Sequence, residues 1–235
     1  MVVSNDFGSV ESPEIPVDVN TTWSTDGLVG WWKFDEGSGT IAYDSSVNGN
    51  DGSLINGPTW TTGKIGGALI FDGVNDFVDM GNSQELNLVN SVTISVWFIS
   101  NKKDALQWIL GKNRDINGGY HLLLDTNNYF QGKVNAAQGK SQATSAEQFQ
   151  VNSEWIHAIF SYDAQSGGQL FRNGVIHGSN SQANGSIISG EVTNLNVGRH
   201  EYNGIYRFQG LIDDVRIYDR ALSAEEVQAL YNLGQ

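Results

Sequence analysis

Residues Phe208 to Asp219 read FQGLIDDVRIYD, and the fold turns on this stretch. Val215 and Ile217 alternate with Asp214, Arg216 and Tyr218, the period of two expected of a half-buried strand. Two adjacent carboxylates, Asp213 and Asp214, stand at its centre. Strict alternation turns one of them inward, where a bare charge is costly unless it is paired or holds a cation. Just beyond, Ser223-Ala-Glu-Glu226 fits a capping box, in which the Ser223 hydroxyl and the Glu226 side chain each satisfy the other's backbone N–H. The expectation is a late strand closed by a short helix over roughly Ala224 to Tyr231.

Upstream, the chain is a succession of short apolar alternations. Val92 to Phe98 (VTISVWF) places Val92, Ile94, Val96 and Phe98 on one face. Leu28 to Phe34 (LVGWWKF) sets Leu28, Trp32 and Phe34 against Val29, Trp31 and Lys33. Further strands are expected at 53–55, 68–71, 77–80, 108–112, 120–125, 129–134, 155–162, 169–172 and 195–198. Asn173-Gly174 is the preferred pair for a type I′ turn, which makes 169–178 a hairpin. About a dozen strands and one terminal helix predict an all-β fold, a two-sheet antiparallel β-sandwich (jelly roll) with a short C-terminal helix. Residues 1–25 show no sustained periodicity and read as a linker or N-terminal extension, with Val17 or Trp23 tacked onto the body.

The chain of 235 residues has no cysteine, so its core, together with any bound metal, must hold it without disulfides. Its formal charge of −13 argues against nucleic acid and anionic membrane surfaces, both of which need a basic face. No apolar run approaches the ~18 residues of a spanning helix, so no membrane insertion is expected. Met1-Val-Val-Ser lacks the basic start and apolar core of a secretory signal, which suits a module separated from a longer protein.

Four stretches together resemble a known family: GLVGWWKFDEGSGTIAYDSSVNGNDG, GKIGGALIFDGVNDFVDMG, SVTISVWF and FQGLIDDVRIYDRALSAEEVQALY. They are similar to the laminin-G-like jelly roll of the concanavalin A-like lectin/glucanase superfamily, over roughly Gly27 to Leu233. The resemblance implies a domain at 26–235 whose first and last strands are adjacent. It also implies a carbohydrate-binding or adhesive role in a secreted or cell-surface multidomain protein, with polysaccharide or glycan as partner and a structural calcium. Calcium takes 6–8 oxygen ligands. Carried over onto this sequence, the pattern points to Asp44, Asn50 and Asp213, with Glu36 and the carbonyl near Asn48 as further donors. The family usually has Gly where this chain has Val47. The competing reading is that Asp44 and Asn50 cap turns and Asp213 pairs with a cation such as Lys33.

Glycans are held by aromatic rings against C–H faces and by planar polar side chains against hydroxyls. The loop GRHEYNGIYRF gathers Arg199, His200, Tyr202, Tyr206 and Arg207, and Trp108, His121, Asn128 and Tyr129 come from central strands and a turn. These form the expected ligand patch. Catalysis is not expected. The E-x-D-x-x-E pattern of a sandwich glycosidase is missing, and His121, His157 and His177 lack the strand motifs of jelly-roll lyases. The rival readings are a protein-binding adhesion domain of the same fold, or a lyase or hydrolase with an unrecognised site.

Overall fold

The computed structural model describes residues 2–5, 8–11, 23–112, 118–150, 154–180, 185–188, 193–200 and 206–235. Two eight-stranded antiparallel sheets stack on a shared core, with one helix at the end of the chain. The first sheet runs Val175–Asn180, Gly167–Arg172, Ile156–Asp163, Ser91–Ser100, Gln209–Tyr218, Gly67–Asp72 and Thr59–Thr62, and Leu28–Trp32 also pairs with Gln209–Tyr218. The second runs Gly139–Thr144, Phe130–Ala136, Tyr120–Leu124, Gln107–Lys112, Asn196–Val197, Phe77–Asp79, Gly52–Ile55 and Ile41–Ala42. Val92, Ile94, Val96 and Phe98 meet Leu122, Leu124, Phe130 and Val134 in the core between them.

The expected clasp is present. The first long strand lies against the closing strand, with Trp32 opposite Val215 and Gly30 opposite Ile217. Asn173 (φ 52°) and Gly174 (φ 81°) make the left-handed turn of the expected hairpin. The helix spans Ala224–Asn232 with a complete capping box. Val227 and Leu230 pack with Leu28, Ile159, Phe171 and Tyr218 on the outside of the first sheet. Among the described residues no helix is long and apolar enough to cross a membrane.

Three expectations need correcting. The closing strand does not alternate through its carboxylates. Asp213 faces Trp97 and Arg216 faces Ser95, so Asp214 and Val215 together answer Val96 alone, with Asp214 at φ 47°. This is a β-bulge. Ile212, Val215 and Ile217 stay in the core, while both Asp213 and Asp214 are buried outside it, among side chains that cover the sheet's outer face. In the first strand a register shift opposite Ile217 and Tyr218 puts Val29 into the core and Leu28 into the helix-side cluster, the reverse of the expected faces. The N-terminal segment is not featureless either. Val2–Asn5 pairs antiparallel with Gly8–Glu11, while Trp23 packs edge-on against Trp31 at 5.1 Å, tacked onto the body as expected. Val17 lies outside the described residues.

Candidate functional site

The outer face of the second sheet carries most of the expected ligand patch. On Tyr120–Leu124, Tyr120, Leu122 and Leu124 enter the core, so His121 points away from it. Trp108 on the neighbouring strand lies over His121 at 4.4 Å, and His200 meets the same indole edge-on at 4.3 Å. Tyr206 in turn stands against His200 at 5.8 Å. Gly111 makes this stack possible, since a Cβ there would run into both the Trp108 indole and His121. The Trp108 N–H donates to the Tyr206 carbonyl at 3.2 Å, tying the strand to the loop. Arg199 places its guanidinium 3.4 Å from the centre of the Phe77 ring.

Burial divides the patch in two. Trp108, His121 and His200 are 1%, 0% and 5% exposed, so they form a floor rather than a contact surface. Tyr206, Arg207 and Arg199 are half-buried and form its rim. Tyr129 is also half-buried, at the turn into Phe130–Ala136. Its N–H donates to Asp125 Oδ1 at 2.9 Å, and Gln131 Nε2 donates to the same carboxylate at 2.7 Å. Asn128 (φ 65°) is committed to its turn, exchanging two 2.8 Å hydrogen bonds with Asp104. Tyr202 lies outside the described residues. Sequence reasoning missed Lys133, which stands directly across from His121. The signal was there: Gln131, Lys133 and Asn135 alternate with the core residues Phe130 and Val134.

The donors expected to hold calcium do not assemble as one set. Asp44 Oδ1 accepts from the N–H groups of Trp31 (2.9 Å) and Ser46 (2.8 Å), and Oδ2 from Asn50 N–H and the Ser46 hydroxyl (both 2.8 Å). Asn50 and Asn48 turn their amide NH2 groups to the Val29 carbonyl, at 2.9 and 3.1 Å. The Asn50 carbonyl accepts from the Trp32 indole at 2.7 Å. Glu36 accepts from Tyr43 N–H at 2.7 Å. These bonds clasp the 35–52 loop to the first strand from within. Asp213 is bonded elsewhere, accepting from the N–H groups of Lys64 and Ile65, both at 2.8 Å. Asp44 and Asp213 are thus held by different stretches of backbone, the turn at 44–50 and the turn at 64–65. No cluster of three or more His, Asp or Glu side chains suited to a metal occurs among the described residues. Val47 is 98% exposed and avoids the left-handed region, which Gly49 takes instead (φ 67°).

Asp213 is instead a buried acid. Its Oδ1 has no hydrogen-bond partner. Burial, with Asp214's charge adding to it, pushes the carboxyl up to about 7 against the pull of the Ile65, Lys64 and Asp214 backbone N–H groups. The native state therefore holds a proton that the unfolded chain has released above about pH 4. This stabilises the fold at low pH and is lost as pH rises through about 7. The difference is on the order of 3 kcal/mol. Asp213→Asn keeps an acceptor for both amides without a charge. Urea melts across pH 4.5 to 8 should show this variant gaining on the parent as pH rises; a constant gap would contradict the assignment.

The two remaining histidines differ in burial. His157 is 1% exposed and stacked on Trp97 at 4.7 Å, with Nε2 2.9 Å from Ser95 Oγ. Burial, and then Arg216, push its imidazole down to about 3. His177 is half-buried, 3.9 Å from Glu147.

Similarity to solved structures matches this architecture. Domain 4 of AbnA, a GH43 extracellular arabinanase from Geobacillus stearothermophilus solved in complex with arabinotriose, superposes with a TM-score of 0.70 at 21% identity, covering 88% of this chain and 98% of that one. The binding domain of Paraclostridial Mosquitocidal Protein 1 superposes at 0.71 and 17% identity, covering 88% of this chain and 52% of that one. Trypanosoma rangeli sialidase superposes at 0.63 and 15% identity, covering 89% of this chain and 33% of that one. The fold is thus shared by binding domains and by parts of glycosidases. No curated protein matches the sequence. The profile of the concanavalin A-like lectin/glucanases superfamily, laminin-G type, matches residues 72–228. With more than half of its length matched, on a sandwich whose first and last strands pair, the chain belongs to the laminin-G-like family of that superfamily.

Proposed function

We propose that this domain is a non-catalytic carbohydrate-binding module, residues 26–235 with an N-terminal extension, of a larger secreted or cell-surface protein that acts on polysaccharide. The observation that carries the reading is the ring stack of Trp108, His121 and His200 beneath the half-exposed Tyr206, on the sheet face turned away from the core. Buried rings fix the position of the exposed one, and a fixed ring loses little entropy when a sugar settles on it. Arg207 and Lys133 add planar and point-charge donors beside it. Support also comes from the arabinanase domain, which was solved with arabinotriose and is matched over nearly its whole length. Such a module would hold a partner domain on its substrate by raising the effective concentration.

A glycan array with the full chain tests this. The expected result is retention on one or a few plant- or microbe-type polysaccharides, weakened about tenfold by Tyr206→Ala, on the scale of one aromatic contact. No reducing ends and no 235-nm absorbance should be released. Binding to a protein ligand with no glycan signal would favour adhesion, and product release would favour an enzyme.

A further inference from the structure

On the opposite side of the sandwich, the outer face of the first sheet holds a pocket of about 280 Å³. Its walls are Trp23 and Trp31, packed edge-on at 5.1 Å. Its floor is Arg216, whose guanidinium lies 4.6 and 4.5 Å from the two rings. Asp214 holds that guanidinium with contacts of 3.0 Å and accepts from the Trp31 indole at 2.7 Å. Lys33 stands 4.3 Å from the Trp31 ring at the mouth, opposite Asp35.

Two features point to a ligand. The Arg216 side chain is only 2% exposed and lines the pocket, and its Nη1 makes no close hydrogen bond, the guanidinium having only a weak further interaction with the Tyr218 hydroxyl. A buried, charged donor paired so weakly is expensive. The charges of the pocket also cancel, Arg216 and Lys33 against Asp214 and Asp35, so an anionic guest gains nothing from it. At 280 Å³ it sits just below the ~300–1,000 Å³ of usual ligand pockets, space for one ring rather than a chain. We propose that this pocket binds a single neutral sugar residue, independently of the second-sheet face. The ring's C–H groups lie against Trp23 or Trp31, one hydroxyl accepts from Arg216 Nη1, and another bridges Lys33 and Asp35.

The test titrates the full chain with D-glucose, D-galactose, D-xylose and L-arabinose, and with D-glucuronate as the charged counterpart, following tryptophan fluorescence and heat. At least one neutral sugar should saturate, more tightly than glucuronate. Trp23→Ala and Lys33→Met should each weaken it about tenfold, with the melting curve of Lys33→Met unchanged. Tyr206→Ala should leave this binding intact while reducing retention on polysaccharide, which separates the two sites. The proposal is overturned if no neutral sugar saturates at about 10 mM, if glucuronate binds best, or if affinity survives Lys33→Met and Trp23→Ala.

Discussion

Asp44→Ala should lower the stability of the domain by about 3–5 kcal/mol, a drop of roughly 10 °C in Tm at the 2–4 °C per kcal/mol typical of chains this size. The carboxylate accepts from three backbone N–H groups, at Trp31, Ser46 and Asn50, and from one hydroxyl. Alanine leaves the three N–H groups without that acceptor, and the Ser46 hydroxyl with only the Val29 carbonyl at 3.5 Å, where the 35–52 loop is clasped to the first strand. The Trp31 amide belongs to a strand that pairs with the closing strand, so the loss reaches the centre of the first sheet. Asp44→Asn keeps one acceptor oxygen and should cost about half as much. The same melts with and without EDTA should coincide, because the loop is satisfied by its own donors. A midpoint that rises with added calcium would show instead that Asp44 serves a cation.

Arg216→Met should cost a similar 3–5 kcal/mol, the usual penalty for stripping one partner from a buried ion pair. Arg216 and Asp214 are 2% and 4% exposed, and the Arg216 guanidinium also lies against the Trp23 and Trp31 rings. Methionine fills much of the arginine's volume but leaves the Asp214 carboxylate with only the Trp31 indole N–H. Adding Asp214→Asn should recover part of the loss, since the charge is gone and asparagine tolerates the left-handed backbone at that position. Chemical denaturation of the single and double variants decides it. A double variant no more stable than Arg216→Met would mean that the arginine matters for packing rather than for charge.

Much of the fold was legible because long alternating runs such as 91–100 and local signals such as Asn173-Gly174 and Ser223-Ala-Glu-Glu226 depend on nearest neighbours alone. What failed depended on register. Alternation assigns faces only while pairing is continuous, and a single extra residue at Asp214 placed Asp213 outside the core. Val29 changed face for the same reason. The calcium donors pose a different question. A carboxylate among Gly, Ser and Asn in a loop has the same composition whether it meets a cation or backbone amides, and only the path of the chain distinguishes them. Asp213 likewise found its partners in the turn at Lys64 and Ile65, about 150 residues away, a contact no spacing encodes. The ligand patch was half legible. The sequence singled out Trp108, His121, His200 and Tyr206, which do come together, but not that the first three lie beneath the surface. The Val2–Asn5 and Gly8–Glu11 strands were too short and too polar to stand out from a linker.

Affinity gel electrophoresis, with polysaccharide cast into a native gel, tests the central claim most directly. The chain and its Tyr206→Ala, Arg207→Ala double variant run side by side on the glycans that the array selects. The parent should be retarded, the double variant should run as in an empty gel, and both should melt at the same temperature. Equal retardation of both, or retardation by none of the polysaccharides, would contradict glycan recognition on the second-sheet face.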